Sequence, residues 1–191
     1  MQVAEMLRWL LLRYQVFVFN LLGFTRQAIE CLRQMQNIRP DDFFVLTTLG
    51  HFLGQERQTR LEAIDLLKQA LSQQPDNAAL HFNLGFLLEQ HALIPEAESS
   101  FRLALRLNDK LDRAWYGLGL VLIQQGRSDE ALQALKRNTE LQPMSPFGWY
   151  QLARLHSDRQ EIDQALAIIR HLQGFEPKIA EQLRRETGLK P

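Results

Sequence analysis

The chain has 191 residues, 46% of them apolar and 23% charged, a mixture that can bury a continuous core and excludes a disordered, solvated polymer. Lys and Arg number 22, and so do Asp and Glu, so no net field draws the chain to polyanions, and neither a nucleic-acid partner nor a general anion surface is expected. The single Cys31 excludes an internal disulfide and a cysteine-built zinc site, and reads as a small apolar residue in a reducing, cytoplasmic setting.

In chain order, the first segment is Met6 to Phe24, strongly apolar but interrupted by Arg8, Arg13, Gln15 and Asn20. No apolar run reaches the ~20 residues a helix needs to cross a bilayer. Glu5 stands where a signal peptide would be basic, and no small-residue cleavage pattern follows. The segment reads as the first helix of a helical array. Its alternative reading is an interfacial amphipathic helix making peripheral contact with a membrane through residues 6–24, the less favoured of the two. The discriminating feature is the face of Leu10 to Leu22: if those residues are all buried against a second helix, lipid has nothing to hold.

From there a period of about 34 governs the chain. Ala28, Ala63, Ala97, Ala131 and Ala165 are separated by 35 residues and then by 34 three times. Pro40, Pro75, Pro143 and Pro177 each follow one of these alanines by twelve residues, with Asp109 in the remaining place. Leu49-Gly50, Leu84-Gly85, Leu118-Gly119 and Leu152-Ala153 keep the same register. Within each period two segments carry apolar residues at three- and four-residue intervals, so each repeat is a helical hairpin. Pro95 suits the start of a helix, Gly126 a left-handed helix end, Ser128 a cap, and Ser145-Pro146 the opening of the next hairpin. The small residues suit close helix approach, since axes come within about 8 Å only where facing side chains are small. Gly119 has that account and Gly117 has none.

Trp115, Leu118-Gly119, Leu122, Ala131, Leu135 and Pro143 together resemble the tetratricopeptide repeat, with Asn138 where that family prefers Ala. Trp149, Leu152-Ala153, Ala165, Ile169, Leu172 and Pro177 form a second copy, and Leu84-Gly85, Leu88, Ala97, Phe101 and Ala104 a third with His81 in the leading place. The resemblance implies an all-α fold: a right-handed α-solenoid of about five antiparallel helix-turn-helix repeats in one domain, 1–191. The repeats span residues 9–42, 43–77, 78–111, 112–145 and 146–177, the second with an extra residue in its Gln55 to Arg60 turn. A capping helix follows at 178–188, with Ile179 and Leu183 as its apolar stripe and Gly188 as its end.

No catalytic constellation is present. The five histidines are scattered, there is no phosphate loop, and no metal or cofactor is expected. Asp41-Asp42 and Asp129-Glu130 stand where helices begin, and capping explains them better than acid-base chemistry. By resemblance, the concave surface is lined by the first helix of each repeat and binds peptides. Carrying its sites over by register gives Phe82, Phe86 and Gln90, then Arg113, Tyr116, Leu120 and Gln124, then Phe147, Tyr150, Arg154 and Asp158. This is an aromatic groove with two cations, suited to an apolar peptide bearing an acidic group. Trp115 and Trp149 match the family's packing site and belong to the core. A carboxylate clamp known in some members is not matched: Asn83 and Arg113 fit, but Thr47, His51 and Gly117 occupy its other places. The reading is a non-catalytic scaffold or adaptor, with a membrane-associated assembly factor or a secretion-type chaperone as alternatives.

Replacing Ala131 by Leu is expected to overpack a helix contact and to cost about 1 to 3 kcal/mol, seen as a lower urea midpoint with an unchanged slope.

Overall fold

The computed structural model describes residues 3–189. Among them are eleven α-helices and no strand: α1 (Val3–Leu21), α2 (Thr25–Ile38), α3 (Phe43–Gly54), α4 (Arg60–Gln73), α5 (Ala78–Gln90), α6 (Ile94–Leu107), α7 (Asp112–Gln124), α8 (Ser128–Leu141), α9 (Pro146–Asp158), α10 (Ile162–Gln173) and α11 (Pro177–Thr187). Two helices fall in each 34-residue period, and α11 stands where the period breaks. Its Ala180 and Leu183 are fully buried, Ile179 is half-buried, and Gly188 closes it at a φ of 70°.

The chain forms two compact units, the first reaching Leu93 and the second beginning at Ile94. In the first, α1 packs on α2, α2 on α3, α3 on α4 and α4 on α5. In the second, each helix from α6 to α11 packs on the next, and α11 also touches α9.

Small residues set the helix contacts. Ala28, Ala63, Ala97, Ala131 and Ala165 all have 0% exposure. At Gly119 a Cβ would lie 2.7 Å from Leu135 Cγ and Cδ2, so α7 meets α8 only because that atom is missing. Gly117, which the sequence leaves without a reason, has the same kind: a Cβ there would come within 2.6 Å of Phe101 Cζ. Phe101 is among the largest fully buried side chains. Two glycines therefore cost helix propensity in α7, and each admits a large side chain from a neighbouring helix.

The turns repeat as faithfully as the helices. Residues 92, 126 and 160, spaced by the period, all have positive φ: Ala92 at 61°, Gly126 at 73° and Gln160 at 61°. Gly23 does the same at 74°. The following amide reaches back five residues in each case, as in Phe24 N to Phe19 O (2.8 Å) and Arg127 N to Leu122 O (2.9 Å), which is the longer bond of a Schellman ending. The helix end expected at Gly126 is thus present. The cap expected of Ser128 is not: Arg127 occupies that place and no side chain bonds the first turn of α8. The left-handed turn leads straight into the helix, and Ser128 becomes its first residue. Asp42 does cap α3, accepting from Val45 N at 3.2 Å, and Asn77 caps α5 through Leu80 N at 3.1 Å. Between α3 and α4 the longer connection holds a single 3-10 turn, Arg57–Thr59, tied by Thr59 Oγ1 to Leu53 O at 2.6 Å.

Asn138, the departure from the family's Ala, is buried, and its Nδ2 donates to Asp112 O at 2.8 Å. Its Oδ1 fills the space next to Gly148, where a Cβ would come within 2.1 Å. The two residues therefore depend on each other. Gly148→Ala should cost about 1 to 3 kcal/mol by overpacking, and Asn138→Ala about 1 kcal/mol through its lost hydrogen bond. In a double-mutant cycle by urea unfolding, the double variant is expected to lose at least about 1 kcal/mol less than the sum of the singles; strict additivity would break the link.

Candidate peptide-binding faces

In the first unit the first helices of the repeats are α1, α3 and α5, and two clefts lie along them. One, of about 130 Å3, is lined by Thr47, Gly50, His51, Gly54 and Gln55 from the α3 side, Asn83, Phe86 and Leu87 from α5, and Leu67 from α4. Its glycines are one turn apart. A Cβ at Gly54 would meet Leu87 Cδ2 at 2.6 Å and one at Gly50 would meet Leu67 Cδ2 at 3.3 Å, so bare backbone opens the cleft onto an apolar floor. The rim is polar: Thr47 Oγ1 donates to Phe43 O at 2.8 Å, leaving its lone pairs to accept, and Asn83 and His51 are exposed. Phe86 stands at the edge with half its surface exposed.

The other cleft, of about 260 Å3, runs between α1 and α3 and is lined by Arg13, Val16, Phe17, Asn20, Phe44, Thr48 and Phe52. The Arg13 guanidinium lies 4.6 Å from the Phe44 ring centre and 5.4 Å from that of Trp9, and Arg39 lies 5.0 Å from Trp9. These cation-π contacts hold α1 to the rest of the unit.

Of the residues carried over for this unit, Phe86 lines a cleft. Phe82 is half-buried outside it, and Gln90 lies beyond it near the end of α5. Gln90 is engaged there, its side chain donating to Glu89 at 3.0 Å and its carbonyl accepting from Arg60 at 2.7 Å. The α1–α3 cleft was missed, because the first repeat departs most from the family pattern. Thr47 and His51 were reached by register and set aside for their residue type.

In the second unit the corresponding helices are α7 and α9. Arg113 and Gln124 are exposed on α7, and Tyr116 and Leu120 are half-buried. On α9, Phe147 is 64% exposed. Arg154 and Asp158 join Ile123, Gln151 and Leu155 around a cleft of about 100 Å3. Tyr150 is engaged by the last helix: its hydroxyl donates to Glu186 Oε2 at 2.5 Å, and it packs against the buried cluster of Ala153, Ile169, Leu172, Ala180 and Leu183. That hydrogen bond, with burial second, raises the phenol's pKa. The Arg154 guanidinium lies 5.8 Å from the same ring.

Trp115 and Trp149 are half-buried rather than sealed in the core. Each indole N–H must reach a carbonyl, Asp109 O at 2.8 Å and Pro143 O at 2.9 Å. His81, one period before Trp115, binds Pro75 O from Nε2 at 2.7 Å. A carbonyl can only accept, so that nitrogen carries the proton. The leading residue of these repeats is thus chosen for a donor six residues downstream of the preceding turn. This also explains why Asp109 can replace the proline there: only its carbonyl is used.

Arginine–carboxylate pairs link the second helices and turns of adjacent repeats. Arg33 pairs with Glu62. Glu98 takes Arg102 and Arg127, each at 2.8 Å, and Glu130 takes Arg127 at 2.7 Å and Arg102 at 2.8 Å. At the next turn, Arg159 joins Asp129 at 2.6 Å and Glu161 at 2.8 Å. Among the described residues no group of three or more His, Cys, Asp or Glu could hold a metal, and no helix is long and apolar enough to cross a membrane.

The recurring hairpin, its buried small residues and its donor ladder define a helical-repeat protein. Models of the tetratricopeptide repeat match residues 60–112, 94–146 and 146–171, and the chain belongs to that family. Human tetratricopeptide repeat protein 7A is 29% identical over 121 residues, 63% of this chain, which spans 14% of that relative's length. Among solved structures, MamA superposes with a TM-score of 0.80 at 18% identity, covering 96% of this chain and 97% of that one. YrrB, described as a TPR protein with an unusual peptide-binding site, superposes at 0.75 with 19% identity, covering 89% of this chain and 88% of its own. These structural likenesses concern the fold.

The ion-pair network makes stability depend on acid. Hydrogen bonds from Arg33 hold Glu62 below the usual carboxylate range. Burial would raise Glu98, but Arg102, Gln125 and Arg127 together hold it low, and Arg127 and Arg102 do the same to Glu130. A carboxyl lowered in the folded state binds protons more readily when unfolded, so its contribution is present above the ordinary range and is lost as pH falls through the folded value. The melting temperature should therefore drop between about pH 5 and pH 3, and Glu98→Gln should lower it at neutral pH and flatten the acid slope.

Proposed function

We propose that this chain is a non-catalytic protein-interaction scaffold that holds a peptide segment of a partner protein against the first-helix faces of its repeats. The observation that carries the reading is the α3–α5 cleft: an apolar floor from Leu67 and Leu87, bare backbone at Gly50 and Gly54, and a rim of Thr47, His51, Asn83 and Phe86. Such a site accepts one aliphatic side chain, while the rim groups bond the peptide backbone around it. The likeness to YrrB supports the reading, since that protein is described as having a peptide-binding site on the same fold.

The second unit offers a different chemistry. Arg113 and Arg154, with the exposed Phe147, suit an acidic segment with an aromatic or aliphatic anchor. Tyr150 serves there as the support of Arg154 rather than as a free anchor, since α11 already holds it.

The test is a peptide array probed with the full chain, followed by titration calorimetry on the peptides retained. Phe86→Ala combined with Asn83→Ala is expected to weaken binding at least tenfold, about 1.4 kcal/mol, with helix content and melting temperature unchanged. Peptides retained equally by this variant and by the Arg113→Ala/Phe147→Ala variant would place binding away from both faces and overturn the proposal.

A further inference from the structure

Helix α1 has two apolar faces. Trp9, Leu12 and Val16 are buried on the side of the helix that packs against α2. Nearly opposite, Val3, Leu7, Leu10, Tyr14, Phe17 and Leu21 are spaced alternately by four and three residues and are 50–74% exposed. That spacing is the seam of a helix built to lie along another helix, held over the helix's whole length. Aromatic side chains offer about 150 to 250 Å2 each and aliphatic ones somewhat less, so the six expose on the order of 700 Å2. A typical monomer's largest apolar patch is only about 300 to 600 Å2.

We propose that this stripe is the dimer interface, α1 of one chain pairing antiparallel with α1 of a second copy. Two such stripes, fully covered, bury roughly 1,400 Å2 in total, inside the range of about 1,200 to 2,000 Å2 of a specific, stable interface. Antiparallel pairing about a twofold between Leu10 and Tyr14 sets Leu10 against Tyr14, Leu7 against Phe17 and Val3 against Leu21. Every layer then matches a smaller side chain with an equal or larger one, and the contact is self-complementary, as twofold symmetry requires. No charged residue lies in the stripe. A parallel pair would instead stack Tyr14 on Tyr14 and Phe17 on Phe17 in successive layers.

Charge argues against a lipid occupant. An interfacial helix needs basic residues flanking its apolar face that are free to meet anionic headgroups, and the two arginines of α1, though exposed, are engaged by side chains of the same unit. Arg8 donates to Gln34 at 3.4 Å, and Arg13 stacks between Trp9 and Phe44.

The experiment is sedimentation velocity on the full chain from about 1 to about 100 μM, the range in which a micromolar dimer dissociates, with melting temperature followed over the same range. The expected result is a mass that doubles and a melting temperature that rises with concentration. Leu10→Glu with Phe17→Glu should give a monomer at all concentrations. The milder Leu10→Ser with Tyr14→Ser should do the same with helix content unchanged, which separates lost pairing from lost folding. Leu61→Glu, at an exposed site on α4, should still dimerise. A wild-type chain that stays monomeric throughout, a folded α1 variant that still dimerises, or co-sedimentation of monomer with phosphatidylglycerol vesicles would each overturn the assignment.

Discussion

The approach of helices at small residues is the constraint on which the rest of the structure depends. Five alanines with no exposed surface and glycines with no room for a Cβ allow backbones to close on each other, and everything on the first-helix faces follows from that distance. Gly54 shows the link most directly. It admits Leu87 to α3, and the same missing atom leaves bare backbone in the cleft beside His51 and Asn83. Packing and recognition are served by one absence. A side chain added there would disturb both, since the neighbour is part of the floor.

The repeats are held in register by polar contacts that recur with the period. Trp115, Trp149 and His81 each return a ring N–H to the preceding turn, so the start of one repeat is tied to the end of the one before it. The positive φ at residues 92, 126 and 160 reverses the chain in three residues, and non-glycine residues at two of these places accept a strain of about 1 to 2 kcal/mol each. Arg127 and Arg159, just beyond or just before such residues, carry the carboxylate pairs that span neighbouring repeats. Surface pairs of this kind contribute little singly. Their weight here comes from sharing: Glu98 and Glu130 each take two arginines, and Arg127 takes both carboxylates.

Much of this was legible in the sequence because a repeat turns one local rule into a long signal. The helices, the buried alanines, Gly126 at its turn and the capping helix ending at Gly188 all follow from spacing. What escaped the sequence depends on contacts between residues with no fixed separation. Gly117 needs Phe101, and Gly148 needs Asn138; in each pair the large partner lies on another helix, and neither residue alone states the reason for the other. Trp115 reads as a core residue because it matches the family's packing site, whereas its place is set by the donor on its ring. Of the candidate residues carried over by register, Phe86, Arg154 and Asp158 line clefts, but register could not show that Glu186 reaches Tyr150, since α11 lies outside the repeat.

The first helix resists the family pattern for a physical reason that the structure makes plain. In α3, α7 and α9 the residues at the helix contacts are small, as at Gly50, Gly119 and Ala153. In α1 the inner stripe is large, with Val16 in the place that Gly50, Gly85, Gly119 and Ala153 take in later repeats, and with Arg13 and Arg39 over the Trp9 ring. This anchors the helix through few residues and leaves its other side free to carry Leu, Tyr and Phe. The cations that would have suited lipid are consumed in that anchoring. Holding α1 in place and fixing what its open face can accept are therefore one arrangement, in which the engaged arginines lie off the outer stripe and leave it apolar and uncharged from Val3 to Leu21.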